Sequence, residues 1–301
     1  MFVLAHLTDP HLGPLPPVRR RDLVSKQMIG YVNWQRNRTH SFDLDILSAL
    51  TDDIRSHNPD HVAVTGDLVN LALSDEIIAA RQWLDSLGDP KDITVIPGNH
   101  DAYVSGAFDE VIERWQPFMC GDGDEEKPVA FPFVRRRSPV ALVGLSSAVP
   151  TAPFMATGRI DEKQAHAFGE CLHQLAGEKT YRVVLIHHAP VGGLSGWPRR
   201  LIGASLFRAQ VAHYGAELIL HGHNHRTSVT MISGRDGPVP VVGAAAASNT
   251  PRSYRSGGAY NLIRIEGEPG NATVTMTERG IKDTGGKVVT LSERILAEKS
   301  R

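Results

Sequence analysis

Five short segments hold side chains that could bind metal ions or move protons: Asp9-Pro10-His11, Gly66-Asp67, Gly98-Asn99-His100-Asp101, His187-His188 and Gly222-His223-Asn224-His225. They offer carboxylates, one carboxamide and several imidazoles, and no thiolate. Imidazole with carboxylate, without sulfur, suits Mn, Fe, Co or Zn at a working site rather than a structural cysteine-type zinc site.

The elements that must position these groups are legible around them. Val3-Leu4-Ala5-His6-Leu7 leads into Asp9, Val62-Ala63-Val64-Thr65 into Gly66-Asp67, and Ile93-Thr94-Val95-Ile96 into Pro97-Gly98-Asn99. Val183-Val184-Leu185-Ile186 leads into His187, and Leu218-Ile219-Leu220 into His221. Short β-rich apolar runs ended by Gly or Pro predict buried strands with polar residues on the loops that follow. Between them, Ile46, Leu47, Leu50 and Ile54 share a helical face, as do Ile77, Ala80, Leu84 and Leu87, and Ala165, Phe168, Leu172 and Leu175. Strands alternating with helices imply a layered α/β fold with the ligands at the strands' carboxyl ends.

The order DxH, GD, GNHD, HH, GHxH resembles the calcineurin-like metallophosphoesterase superfamily, and within it the class III cyclic-nucleotide phosphodiesterase-like branch. The resemblance spans Asp9 to His225 with every motif intact. It implies two divalent or trivalent ions (Mn, Fe, Zn or Co), the first held by Asp9, His11 and His225, the second by Asn99, His187 and His223, with Asp67 bridging. Two such cations roughly 3.5–4 Å apart share a hydroxide, lower its pKa and clamp a phosphate for in-line attack. The resemblance further implies that His100 acts catalytically on the departing oxygen and that Asp101 orients it.

Other histidines have simpler readings. His6, His57, His61, His166, His173 and His213 read as surface or hydrogen-bonded residues. His188 and His221 each adjoin a motif position, and adjacent strand residues point to opposite faces, so supporting roles are expected for both. Outside its GNHD setting, Asn99 would read as a turn residue.

The chain has 301 residues, 41% hydrophobic and 22% charged, with a formal net charge of −1. That is enough for one sizeable core, and no global field argues for a nucleic-acid polymer. Cys120 and Cys171 lie away from the motifs and read as idle thiols. No apolar run approaches the ~20 residues that span a bilayer. Asp9 lies so near Met1 that removal of a leader would destroy the site, so the expectation is a cytoplasmic protein.

After His225, apolar β-rich runs at 229–232, 239–242, 260–265, 273–276 and 287–291 read as successive strands of a second sheet, followed by a C-terminal helix from Ser292. The expected fold is one domain over 1–301, a four-layer αββα sandwich of two mixed β-sheets flanked by helices.

The most distinctive insert, 13–41, sets Arg19, Arg20, Arg21, Lys26, Arg36 and Arg38 among Leu23, Val24, Met28, Ile29, Tyr31, Val32 and Trp34. Three readings stay open: a cap over the site, peripheral contact with an anionic membrane, or a helix packed by its apolar stripe. Loops 147–158, 189–203 and 248–257 bring Phe154, Trp197, Arg199, Arg200, Arg252, Tyr254 and Arg255, arginines for phosphate oxygens and aromatics for a base or acyl group.

The leading expectation is a phosphodiesterase acting on a cyclic nucleotide or other small diester. A UDP-diacylglucosamine-type pyrophosphatase at a membrane surface and a non-catalytic metal-binding scaffold are the alternatives. A homo-oligomer is compatible with the sequence.

Overall fold

The computed structural model describes residues 1–18, 26–37, 42–251, 257–283 and 285–298. Strands and helices alternate through the first part: β1 (Phe2–Leu7), α1 (Lys26–Asn37), α2 (Leu44–Ser56), β2 (His61–Val64), α3 (Ser74–Leu87), β3 (Ile93–Val95) and α4 (Ala107–Trp115). There follow β4 (Phe133–Arg137), β5 (Val140–Gly144), β6 (Gly158–Arg159), α5 (Glu162–Gly177), β7 (Tyr181–Leu185), β8 (Leu201–Ile202), α6 (Ala204–Tyr214) and β9 (Leu218–His221). The chain ends on β10 (Ser228–Ser233), β11 (Pro238–Gly243), β12 (Ala259–Glu268), β13 (Asn271–Ile281) and β14 (Val288–Ala297).

Two six-stranded mixed sheets result, in the orders β14-β13-β12-β1-β2-β3 and β10-β11-β9-β7-β5-β4. The parallel pairs, β1–β2–β3 and β5–β7–β9–β11, carry the motif loops, and antiparallel strands flank them. Strand periodicity explains the layering. Val140, Leu142, Val183, Leu185, Leu218 and Leu220 pack in one cluster with Leu4, Leu7 and Val64 of the other sheet. Their neighbours Ala141, Val143, Val184 and Ile219 pack instead with Phe168 of α5 and Phe207 of α6. Each central strand is therefore buried on both faces, one against the facing sheet and one against helices. The predicted faces of α2, α3 and α5 are all buried. This is the expected αββα sandwich.

Two expectations about the tail are corrected. Strands β12 to β14 do not build a second sheet. They extend the first, β12 pairing antiparallel with β1 from Phe2↔Ile265 to His6↔Asn261, while β10 and β11 join the other sheet. The segment from Ser292 is not a helix but the continuation of β14, paired from Ser292↔Glu278 to Ala297↔Val274 through a register shift. The helix-forming residues of 292–297 yield to the ladder bonds that β13 offers, a tertiary override of local propensity.

Burial sets one property of the fold directly. Burial, with His221, holds His6 at a pKa of about 3, and burial, with Arg137 and Arg135, does the same to His61. His6 bonds Thr65 Oγ1 at 3.0 Å and His61 bonds Thr94 Oγ1 at 2.7 Å. Above the free-imidazole value of about 6.5, both states leave these rings neutral and stability is unaffected. As pH falls towards 3, the unfolded chain takes up protons that the fold refuses, so stability declines, by about 3 kcal/mol for the two together at pH 5.5. Urea midpoints measured from pH 7.5 to 5.5 should show this fall. His61→Gln should remove about 1.4 kcal/mol of pH-dependent change over that range, and an unchanged slope in that variant would overturn the account.

Candidate metal centre

The five motif segments meet on one rim because each follows the carboxyl end of a parallel strand. Asp9 and His11 follow β1, Asp67 follows β2, Asn99 to Asp101 follow β3, His187 and His188 follow β7, and His223 and His225 follow β9. Five of these residues adopt left-handed backbone: Asp9 (φ 50°), His11 (39°), Asp67 (57°), His223 (69°) and His225 (52°). Non-glycine residues rarely do so, and such strain gathers where side chains must converge on one point. Gly66, itself at φ 88°, lets the loops interlock: a Cβ there would come 2.5 Å from the amide nitrogen of Gly98. A Cβ on Gly98 would in turn overlap the Asp67 carboxylate.

Asp9, His11, Asp67 and His225 each present a ligating atom, all within 4.8 Å of one another, and so do His187, His188 and His223. His225 Nε2 lies 3.2 Å from Asp9 Oδ1, and His11 Nε2 lies 3.9 Å from both Asp9 Oδ1 and Asp67 Oδ2. Asp67 Oδ2 is also 3.3 Å from His187 Nε2, so its carboxylate touches both sets. Nearly all of these side chains are buried.

Three observations test whether cations fit. Among the described residues, buried Asp9 Oδ1, Asn99 Oδ1 and His187 Nε2 make no well-formed hydrogen bond, the first and third having only the close ionisable atoms noted above, which is costly unless something else satisfies them. His11 Nε2 and His225 Nε2 face each other at 3.3 Å, an arrangement natural for two lone pairs aimed at one ion. The opposite ring nitrogens are already committed to backbone carbonyls: His11 Nδ1 donates to Val69 O, His187 Nδ1 to Thr65 O, and His223 Nε2 to Arg199 O. Those bonds fix the tautomers and leave Nε2, Nε2 and Nδ1 as lone-pair donors. The residues fit two metal ions.

The electrostatics agree. Burial opposes the charge on Asp9, but His225 outweighs it and holds the carboxyl at about 2; His187, with His100, likewise drives buried Asp67 well down. Burial also disfavours charge on His187, yet Asp67 raises it to about 9. Two ionised carboxylates thus sit in a dry site that demands positive charge. Burial keeps His188 neutral at about 3, His221 at about 4 and His223 well below its ordinary value.

Among the described residues no hydrogen bond joins Asp101 to His100, the partner expected for it. Its buried carboxylate accepts the amides of Asp67 and Gly98 at Oδ2 and of Leu68 and Val69 at Oδ1, at 2.7–3.2 Å. Burial, reinforced by Asp67, raises its pKa to about 7. Its task is to shape the loop that carries Asp67. His100 takes its orientation from residues the motifs did not single out: Nδ1 donates to Asn70 O at 2.6 Å, and Tyr103 stacks on the ring at 5.5 Å. Tyr103 lies two residues beyond the GNHD motif, an aromatic whose place the motif does not specify.

The alternation argument for His188 also fails, because 187 and 188 lie past the end of β7, where strand geometry no longer applies. His188 approaches the same centre as His187, with ring centroids of His188 and His223 4.3 Å apart, while its ring bonds Ser147 Oγ and Ala156 O. His221, the last residue of β9, belongs to neither set and bonds Gly222 O.

A cavity of about 460 Å³ opens over Asp67, Asn99, His100, His223 and His225. Lys26, Ile29 and Trp34 of α1 line it, facing Tyr103, Phe154 and Arg199. Helix α1 seats closely because Gly30 carries no side chain: a Cβ there would overlap Tyr103 and Leu71. Phe154 is exposed at the rim, and Trp197 lies outside the cavity lining with Arg200 stacked on it at 4.2 Å. Arg19, Arg20, Arg21, Leu23, Val24, Arg38, Arg252, Tyr254 and Arg255 lie outside the described residues.

The family described as calcineurin-like phosphoesterase matches residues 2–227. No curated protein matches the sequence. Among solved structures, a dimetal phosphatase from Danio rerio aligns with TM-score 0.65 at 13% identity, over 97% of this chain and 98% of its own. The purple acid phosphatase PPD1 from yellow lupin (Lupinus luteus) aligns with TM-score 0.62 at 12% identity, over 99% of this chain but 54% of its own. GAP50, the anchor in the inner membrane complex of Plasmodium, aligns with TM-score 0.53 at 12% identity, over 100% of this chain and 90% of its own. At such identities the likeness is one of fold.

Proposed function

We propose, because this chain belongs to the calcineurin-like phosphoesterase family, that its metal-dependent ester hydrolysis is directed at phosphodiesters, with a small soluble diester such as a cyclic nucleotide as substrate. The observation that carries the reading is the pairing of two ligand sets through Asp67 with an oriented imidazole, His100, beside them. Asp9, His11 and His225 would hold one ion, Asn99, His187 and His223 the other, and Asp67 would bridge. Bound metals supply charge for the phosphate's oxygens and a nucleophilic water at neutral pH.

The chain's own residues do the rest. With its Nδ1–H donated to Asn70 O, His100 would give a proton to the departing oxygen from Nε2. An aliphatic alkoxide is a poor leaving group, so its phosphate ester gains from such an acid. A non-catalytic scaffold would need neither His100 in that orientation nor a cavity above it. The fold alone does not separate these roles, since GAP50, an anchor in the inner membrane complex of Plasmodium, shares it.

A second reading, a lipid-linked pyrophosphate substrate at a membrane surface, is favoured by the rim. Ile29 of α1 and Phe154 line the cavity and are exposed, and Met28 and Val32 are exposed elsewhere on α1. Among the described residues no helix is long and apolar enough to cross a membrane, so contact would be peripheral.

The test is hydrolysis of bis(p-nitrophenyl) phosphate and p-nitrophenyl phosphate by protein stripped with chelator and reloaded with Mn²⁺. Turnover restored by metal and preferring the diester is expected. Preference for the monoester would overturn the diesterase reading, and stimulation by liposomes would favour the second.

A further inference from the structure

Glu76 is buried in the first turn of α3. Burial raises its pKa, opposed by the backbone amides of Leu73, Asn70 and Leu71, and among the described residues no cation pairs with it. Its Oε1 accepts the Asn70 amide at 2.9 Å, and its Oε2 accepts the amides of Leu71 at 3.0 Å and Leu73 at 3.1 Å. A glutamate that merely caps a helix needs the last of these alone, since Leu73 is the residue from which α3 starts. The other two reach past the helix to the bend 70–73. Ala72 holds left-handed backbone there, at φ 53°, a conformation that a non-glycine residue keeps only when its surroundings impose it.

What the bend carries gives the two extra bonds a purpose. The Asn70 C=O and the Leu71 N–H are the two ends of one peptide group, which is planar and points them in opposite directions. The N–H end meets Glu76 Oε2, and the C=O end accepts the Nδ1–H of His100 at 2.6 Å. Carboxylate, peptide and imidazole therefore form one hydrogen-bonded row. Bonds in such a row polarise one another in a dry interior, so charge on Glu76 makes the Asn70 oxygen a stronger acceptor. The Asn70 side chain steadies the same unit, donating Nδ2–H to Leu12 O at 2.9 Å. A carboxylate on the far nitrogen is a common way to orient a working imidazole, and here a peptide stands between the two.

We infer that Glu76 is a positioning residue for the reaction, holding the His100 ring and strengthening its Nδ1 hydrogen bond through the Asn70–Leu71 peptide. The inference rests on the reading of His100 as the acid for the leaving oxygen.

The test pairs a spectroscopic and a kinetic measurement on Zn²⁺-loaded protein. With isotope-labelled histidines, the Nδ1 proton of His100 should give a downfield, slowly exchanging resonance, identified by its loss in His100→Ala. Glu76→Gln, which keeps the shape and removes the charge, should move that resonance upfield and speed its exchange while metal content stays unchanged. Turnover of diphenyl phosphate, whose phenolate leaves poorly, should fall about 10–100-fold in the same variant, the worth of one hydrogen bond to a charged group. Bis(p-nitrophenyl) phosphate should lose several-fold less. In a His100→Ala background Glu76→Gln should cost nothing further, because groups that act as a unit are not additive. Glu76→Asp, which keeps the charge on a shorter stem, is read in the same way if the glutamine variant folds poorly. An unchanged Nδ1 resonance, an equal loss of turnover in the two backgrounds, or a loss of metal would overturn the assignment. If His100→Ala alone leaves diphenyl phosphate turnover intact, the acid reading fails, while the resonance still decides whether Glu76 holds the ring.

Discussion

Asp67→Ala should strip the protein of metal more completely than any other single substitution. Its carboxylate is the group that contacts both ligand sets, 3.3 Å from His187 Nε2 and 3.9 Å from His11 Nε2. Oδ1 also accepts the backbone amide of His100 at 2.7 Å, so the same side chain shapes the loop that bears the acid. Removing it leaves His187 buried without the partner that raises its pKa, and leaves each ion one ligand short. Elemental analysis after gel filtration should find about two ions per chain in the parent and far fewer in the variant. The comparison is with His225→Ala, which touches one set and should spare the other ion. Two tightly held ions surviving in Asp67→Ala would end the bridging assignment.

His100→Ala should behave in the opposite way, keeping its metals and losing turnover by roughly 10²–10⁴-fold, the range for a general acid. The basis is that Nδ1 is held by Asn70 O, which fixes the ring beside the ligand sets without making it a member of either. The loss should shrink when the leaving group is nitrophenolate, which needs little protonation, and grow for an alkyl ester. A metal content that falls as far as in His223→Ala would show that His100 is a ligand or a brace instead.

These expectations show what could be read from the chain before it was folded. Motif spacing singled out Asp9, Asp67, Asn99, His187 and His223, and the structure sets each on a loop just past a strand end, because strands announce themselves by β-branched runs closed by Gly or Pro. The layering was legible for the same reason. Spacing could not tell where Asp101 points, since four backbone amides from two loops claim its carboxylate only once those loops interlock. Nor could it assign Tyr103, whose relation to His100 depends on packing across the cavity. The tail misled for a different reason. Residues 292–297 have a helical composition, and only the edge of β13 makes them a strand.

The two sheets contribute jointly to the centre, and this makes the metals mechanical as well as chemical. Asp9 stands on the sheet of β1 and His225 on the sheet of β9, 216 positions further along the chain, so each ion would rivet one sheet to the other. A backbone bond, His223 N to Asp9 Oδ2 at 2.9 Å, already crosses the same joint. Neither sheet alone carries a complete ligand set. Tight binding therefore waits until the halves have docked, and the bound ions then close loops well over a hundred residues long. Metal occupancy becomes a reporter of assembly: a chain whose sheets have formed but not met would have its secondary structure and yet hold no ion tightly.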